Sequence, residues 1–536
     1  MPIASDNQPT IIELAHWPQG GLNQSTRRST IEDADLWWVE NYFPLANGEL
    51  RTAWGPSAPL WTAPAGVSIL RIFFTNMNGT DPIALLYLSN GTIQVVNLNT
   101  NATLNLGILW NPVAPNYPAD FKLWTPTTVG NTTGQVGGGL IGSPRGLYAI
   151  DANFTISPPG SNAPTWLTGG ATTDASGNPL VMPSGLPGIF AMEVYNQRLF
   201  VLGQTVVSFS APSNGADFST AGGGGSFPYF GDQLTVSFTE MCATAGFLYI
   251  FGDSMTDWIS NIQLVGQAQA TTSPSVTTPY TTEFQLSNYN PQIGQRFFRP
   301  VGKWLQALTV FDLAGVYLMS GDGQATWLTQ KVTNLWHSLN PTPFQPTAAP
   351  VHVFGQRWLL FNGTFTDPWG VARSMILCWN GQIWTVASQR YALTHIGFYE
   401  QDSCITAYGT DGSVLVQLFA QPDPALEKRL STKAYNGSPP EPLAIKNWKR
   451  SYMHLRDMAG QPEGSFLTGS FSTAGGGIPN GSQRVSFEVQ PNIDDIRPHP
   501  TEGQGIFGWL DLTSNSPDFI IERILLAYES RTLFGA

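Results

Sequence analysis

Cysteine is close to absent: Cys242, Cys378 and Cys404 are the three in 536 residues. An odd number so widely spaced excludes a disulfide framework, and without a Cys-x-x-Cys pair nothing suggests zinc. The three read as small core hydrophobes. Charge is scarce as well, at 12% of residues, and cations are the scarcer sign, with 25 Lys and Arg against 37 Asp and Glu. The resulting formal charge of −12 argues against gripping nucleic acid by its phosphates, which takes clustered Lys and Arg. It leaves open a protein that surrounds DNA without holding it. No window approaches the roughly eighteen apolar residues of a membrane-spanning helix, so none is expected. The first residues, MPIASDNQPTIIELAHW, have neither a basic start nor an apolar run, so no secretory leader is expected.

Helical periodicity is also rare, and what stands in its place is alternation at period two. Gly 55, Pro 41 and Trp 18 suit many short strands joined by turns. The recurring unit is a hairpin: an apolar strand, a Gly/Asn/Asp turn, a second strand. It occurs in Ala84–Leu98, Arg145–Ser157, Asn196–Pro212, Gly246–Ser260, Ala314–Thr329, Ser374–Ser388 and Ser403–Phe419. Uneven spacing of such hairpins predicts an all-β fold, a degenerate β-propeller closed by radial repetition. A pair of β-sandwiches is the other architecture this pattern allows. The length suggests two or three domains. We divide the chain into an N-terminal arm (1–60), a propeller (61–420) and a C-terminal β-rich, sandwich-like domain (421–536). Ser157–Pro187 and Gly266–Tyr280 read as long exposed loops inserted in the propeller, and Gly222–Gly225 as a flexible tip.

The stretch LYIFGDSMTDW, Leu248–Trp258, resembles the way a GDS-type hydrolase presents its serine. Catalysis would need a base to take the proton of Ser254. No GxND block occurs, and no Asp stands three residues before any of the six histidines (His16, His337, His352, His395, His454, His499). The nearest case, Asp495 and His499, is four apart and interrupted by Pro498. Ser254 is therefore expected in a hairpin turn, and no catalytic residue is assigned. The histidines show no HxH or HExxH spacing, so no metal site is assigned. Thr173–Asn178 (TDASGN) lacks the terminal Glu of a calcium loop, and no cofactor is expected. The Asn-x-Ser/Thr sites at Asn78, Asn90, Asn101, Asn131, Asn153 and Asn362 read as turns. Trp336, Trp358, Trp379 and Trp384 could stack on sugars but are expected in the core.

The opening segment carries the most specific pattern. Gln19–Pro56, QGGLNQSTRRSTIEDADLWWVENYFPLANGELRTAWGP, has a Gly-Gly-Leu-Asn opening, an acidic stretch, an aromatic Asn-Tyr-Phe-Pro and a closing Gly-Pro. It resembles the start of the tail nozzle (tail tubular protein B-like, or tail hub) proteins of short-tailed bacteriophages. Tyr195–Ser219 resembles a phrase of their propellers, as does Leu248–Ser260. The passage from Asp411 through Lys428 to Arg456 follows the order seen where their last propeller strand enters the C-terminal domain. The TAW before Gly55-Pro56 departs from the family, which has an Arg close by. The resemblance implies a structural virion protein, not an enzyme. It would form a homohexameric ring at the distal end of the tail, below an adaptor ring and with side fibres on its flanks, and double-stranded DNA would pass through its lumen unheld. Its place would be the virion, assembled in the host cytoplasm. The lumen is expected to be acidic or neutral, and the basic segment Lys428–Arg456 is the candidate contact with a neighbouring subunit or the adaptor. The competing class is a monomeric propeller that binds or cleaves carbohydrate.

Overall fold

The computed structural model describes the chain apart from residues 1–8, 16–19, 78, 80, 111, 113–118, 125–137, 144–145, 151, 155–188, 204–205, 213–217, 219–222, 229–237, 245, 267–279, 291, 296, 298–301, 322–323, 343–345, 438–443, 459–466, 476–481, 490–496 and 532–536. Among the described residues the regular elements are strands, save a turn of tighter helix at Thr329–Val332 that runs into the short α-helix Thr333–His337.

Period-two apolar patterning turns into antiparallel meanders, in which each strand pairs with its neighbour in the chain. Six meanders are sheets of their own and form blades. Blade 1 holds Ile69–Thr75, Ile83–Leu88, Thr92–Asn97 and Thr103–Ile108. Blade 2 holds Asp120–Trp124, Gly138–Ser143 and Gly146–Ile150. Blade 3 holds Ala191–Tyr195, Arg198–Leu202, Val206–Phe209 and Gly225–Pro228, and blade 4 holds Phe238–Thr244, Phe247–Gly252, Thr256–Gly266 and Tyr280–Asn290. Blade 5 holds Gly302–Trp304, Ala307–Phe311, Val316–Met319 and Ala325–Trp327. Blade 6 holds His395–Gln401, Cys404–Thr410 and Val414–Gln417, completed by Trp61–Thr62 from the start of the ring. That last pairing, Leu415 to Trp61 and Val414 to Thr62, ties the ring's two ends together. Between blades 5 and 6 lies a further meander, Thr347–Val353, Gln356–Thr366, Ala372–Trp379 and Trp384–Ala387, which continues into a larger sheet. Each hairpin picked out in the sequence has described strands in a different one of these units; of Arg145–Ser157 only the first strand, Gly146–Ile150, lies among the described residues.

Shared apolar cores close the circle. Leu85 and Tyr87 of blade 1 pack with Phe121 and Ile141 of blade 2, and Phe200 of blade 3 packs with Ile250 of blade 4. Tyr249 and Phe251 of blade 4 meet Leu308 and Val310 of blade 5. The further meander shares Trp358 and Ile376 with Ala407 and Val416 of blade 6, and blade 6 returns to blade 1 through Tyr408 and Leu86. Between blades 2 and 3 the Met192 N–H donates to Asp120 Oδ2 at 2.7 Å. Radial packing of this kind, with the ring closed on itself, is a β-propeller.

The two ends of the chain build a platform together. One sheet runs in the order Arg497–Gly505, Ile445–Asp457, Phe519–Arg531, Leu50–Thr52, Tyr42–Pro44, with Thr10–Leu14 also paired to Phe519–Arg531. The other continues from Trp384–Ala387 through Asp35–Glu40, Lys428–Thr432, Phe507–Ser514 and Leu467–Ala474 to Ser482–Val489. The C-terminal segment is therefore not a sheet by itself; arm strands stand between it and the propeller. A single core spans both, with Trp38, Trp336, Trp384 and Trp448 in it.

Packing accounts for the arm's unusual residues. A side chain on Gly20 would stand 1.6 Å from the Ala34 carbonyl oxygen, and Gly21 adopts φ +90, so neither position tolerates a Cβ. Leu22 is fully buried, and Asn23 Nδ2 donates to the buried Asp35 carboxylate at 2.6 Å. Asn41 takes a left-handed φ of 61, where Asn is among the better-tolerated residues. From there its side chain donates to Ser388 Oγ and the Glu427 carbonyl and accepts the Ser388 N–H. Arm, meander and linker meet at that one residue.

One expectation fails. The described part of the glycine run, Gly223–Gly225, is not a flexible tip. The Gly223 carbonyl accepts Arg198 Nη1 at 2.6 Å and Thr282 Oγ1 at 2.5 Å, and Gly225 opens the outer strand of blade 3 over Phe209. A buried guanidinium needs acceptors, and the glycine carbonyl is one of them.

Candidate functional site

Ser254 sits in the turn between Phe247–Gly252 and Thr256–Gly266, where strand leads to strand and no helix follows. Its hydroxyl donates to Asp253 Oδ1 at 3.1 Å, and the Gly252 N–H closes the turn on the Met255 carbonyl at 2.9 Å. Gly294 passes directly beneath: a Cβ there would lie 2.3 Å from the Ser254 nitrogen. The Gln295 N–H donates to the Gly252 carbonyl and Thr256 Oγ1 to that of Ile293. The turn is a packed structural joint.

The other sequence candidates separate cleanly. Trp336, Trp358, Trp379 and Trp384 are all buried. His499 is buried and stacks on Phe487 with centroids 5.1 Å apart. Asn362 is buried, its Oδ1 accepting Thr347 N–H and Oγ1. Among the described residues no group of three or more His, Cys, Asp or Glu could hold a metal ion. Thr173–Asn178 and nearly all of the two long loops lie outside the described residues.

The basic segment is largely engaged within the chain. Lys433 pairs with Asp33 at 2.7 Å, Lys449 with Glu529 at 3.2 Å, Arg429 with Glu427 at 2.6 Å, and Arg456 with Glu49 and Glu522. Lys446 is buried and donates to the Ala444 carbonyl. Lys428 is buried too, with Nζ donating to the Asp423 carbonyl at 2.8 Å. Burial, only partly offset by Asp423 and Asp518, pushes its ammonium down from 10.5 to about 8. The unfolded chain then holds this proton more tightly, so the folded state is penalised below about pH 8 and relieved as pH rises toward 10.5. Lys428→Met is therefore expected to raise the urea midpoint at pH 7, by the equivalent of roughly 1–3 kcal/mol. It should also flatten the gain in stability above pH 8. Equal midpoints at pH 7 would contradict this.

The site that the sequence did not announce lies on the propeller axis. A cavity of about 470 Å³ is lined by the first strand of every unit in the ring. Most of these strands carry charge where an inner strand would be apolar: Arg71 in ILRIFFT, Asp120 and Lys122 in DFKLW, Glu193 in AMEVY, Glu240 in FTEMCAT, Lys303 in GKW. That charge is the signal that sequence reading could have used. Lys122 Nζ pairs with Glu193 Oε2 at 3.2 Å. Burial opposes its charge, but Glu193, Asp120 and Glu240 outweigh burial and hold the ammonium above its usual range. The carboxylates are set by backbone donors: Asp120 by the Phe121 and Met192 N–H groups, Glu193 by Val194, Glu240 by Met241. Beside them the Cys242 thiol is pushed up to about 12, by burial first and then by Glu193 and Glu240 against Lys303 and Lys122. It is not a nucleophile at neutral pH.

No family model matches the chain, and no curated protein matches it in sequence. Among solved structures it is similar to BBS1N in complex with ARL6DN, soaked with lead, at 10% identity and a TM-score of 0.42, covering 68% of this chain and 97% of that one. The mercury-soaked form of that complex gives 9%, 0.39, 68% and 96%. The N-terminal domain of Nup159 gives 9%, 0.33, 71% and 98%. Likenesses this distant carry no argument about function; the propeller is read from its strand pairing.

Proposed function

We propose that the chain is a structural subunit of a short phage tail, a nozzle through which DNA leaves, acting as a homohexamer and without catalysis. The observation that carries this reading is where the resembling phrases fall. Gln19–Pro56 is the arm built into the platform, Tyr195–Ser219 and Leu248–Ser260 belong to blades, and Lys428–Arg456 returns to the platform beside the arm. A propeller mounted on a platform that both chain ends build is a rigid part suited to a ring wall.

Charge supports it as well. The cations of the basic segment face carboxylates and carbonyls of their own chain, so they add little attraction for phosphates. Six chains at −12 each would repel a duplex from the wall, as a conduit requires. Adaptor and fibre contacts belong to the same proposal, now on platform surfaces other than the paired cations. A carbohydrate-binding propeller built on Trp336, Trp358, Trp379 and Trp384 loses its platforms, because all four are core.

Electron microscopy of the purified protein, alone and mixed with the other tail proteins of its source, tests the reading. Hollow rings with sixfold views are expected. Single discs under both conditions would overturn it.

A further inference from the structure

We propose that the axial cavity of the propeller is a binding site for a neutral saccharide, a unit of one or two sugar rings. The inference does not depend on the nozzle reading, which uses the platform and the ring rather than this cavity.

The first argument is charge. The lining carries the cations Arg71, Lys122 and Lys303 and the carboxylates Asp120, Glu193, Glu240 and Glu400. Three positive groups against four negative ones leave a wall close to neutral. Lys122 is already paired with Glu193. A polyanion entering this space meets four like charges against three opposite, and a polycation three like against four opposite. A polyol meets none of that penalty, because each hydroxyl can donate to a carboxylate and accept from an ammonium.

The second argument is preorganisation. Backbone N–H groups fix one or both oxygens of Asp120, Glu193 and Glu240, and Lys303 is anchored to the Ala243 carbonyl at 3.1 Å. Groups held before the ligand arrives lose little freedom on binding. The third is size and wall character. About 470 Å³ lies within the range of small-molecule sites, roughly 300–1,000 Å³. Phe398 and Leu123, 38% and 47% exposed, stand in the lining as apolar surface. The C–H face of a sugar ring packs against surface of that kind.

The test uses the full chain in whatever assembly it forms. A glycan array samples surface glycans, and calorimetry with free mono- and disaccharides at millimolar concentration samples soluble sugars; saturable binding in either arm supports the site and tells which source it serves. Phe398→Ala changes only a half-open side chain and is expected to weaken that binding tenfold or more with an unchanged melting temperature. Glu240→Gln removes one fixed carboxylate and is expected to weaken it at least as much. The proposal is overturned by absence of saturable binding in both arms. It is overturned equally by binding that survives Phe398→Ala, or by preference for spermidine or inorganic phosphate over every sugar. Ring formation, read by microscopy, is untouched by Phe398→Ala, so failure of the sugar site and failure of the nozzle reading are told apart.

Discussion

Replacing Asp518 with alanine is expected to lower the unfolding free energy by about 3 kcal/mol, the lower end for breaking a buried ion pair. Asp518 is buried just before the platform strand Phe519–Arg531, and its carboxylate collects the arm. Arg51 donates to both oxygens, Nε at 3.1 Å and Nη2 at 2.7 Å; Thr52 Oγ1 and Trp54 Nε1 donate at 3.3 Å and 3.2 Å. Without the carboxylate those donors face apolar surroundings, including the Phe354 ring, whose centroid lies 4.3 Å from the Arg51 guanidinium carbon. Arg51 keeps partial contact with solvent, which sets the effect below the top of the range. Asp518→Asn, which retains an acceptor but no charge, should fall between wild type and Asp518→Ala. The check is the urea midpoint at constant slope; a loss below 1 kcal/mol would show that the arm is held mainly by its strand pairing.

A larger effect is expected from a chain that starts at Ala63. It lacks the arm strands Thr10–Leu14, Gly21–Leu22, Asp35–Glu40, Tyr42–Pro44 and Leu50–Thr52, and the closing strand Trp61–Thr62. Trp38 and Tyr42 are fully buried and Phe43 nearly so, and each such aromatic contributes roughly 3–5 kcal/mol by truncation to alanine. Together these three match the roughly 5–15 kcal/mol that holds an ordinary domain together. The shortened chain should be insoluble or lack a cooperative transition. Recovery of a soluble protein with a sharp melt would mean that the propeller stands without its platform.

How much of this was legible in the sequence depends on the range of the interaction. The hairpin of blade 1 was visible because Asn90 and Gly91 stand between two alternating runs, and short-range turn chemistry decides such pairs. The fate of Ser254 was visible for the same reason: the residues after it alternate as a returning strand does. The partners of Asp35–Glu40 were not visible. They are Trp384–Ala387 on one side and Lys428–Thr432 on the other, hundreds of residues away, and no local pattern encodes such a meeting. The axial site was hidden differently. Lys122 and Glu193 each look like an ordinary charge on a strand, and only the packing of blade 2 against blade 3 brings them together so that they pair. The glycine run misled because Gly-rich segments usually mark tips, whereas here a buried Arg198 required the carbonyl of Gly223.

The platform's weave sets an order of events during synthesis. Hairpins of the blades pair residues close in the chain and can form as they emerge from the ribosome. Phe519–Arg531, however, lies between Ile445–Asp457 on one edge and Thr10–Leu14 with Leu50–Thr52 on the other. At roughly 5–20 residues per second, the arm waits on the order of half a minute to a minute and a half for that strand. Throughout, its apolar strands are open edges able to pair with another nascent chain. A chain cut before Phe519 would keep its blades yet leave the arm without its partner. For this molecule, quality control falls on the strand Phe519–Arg531.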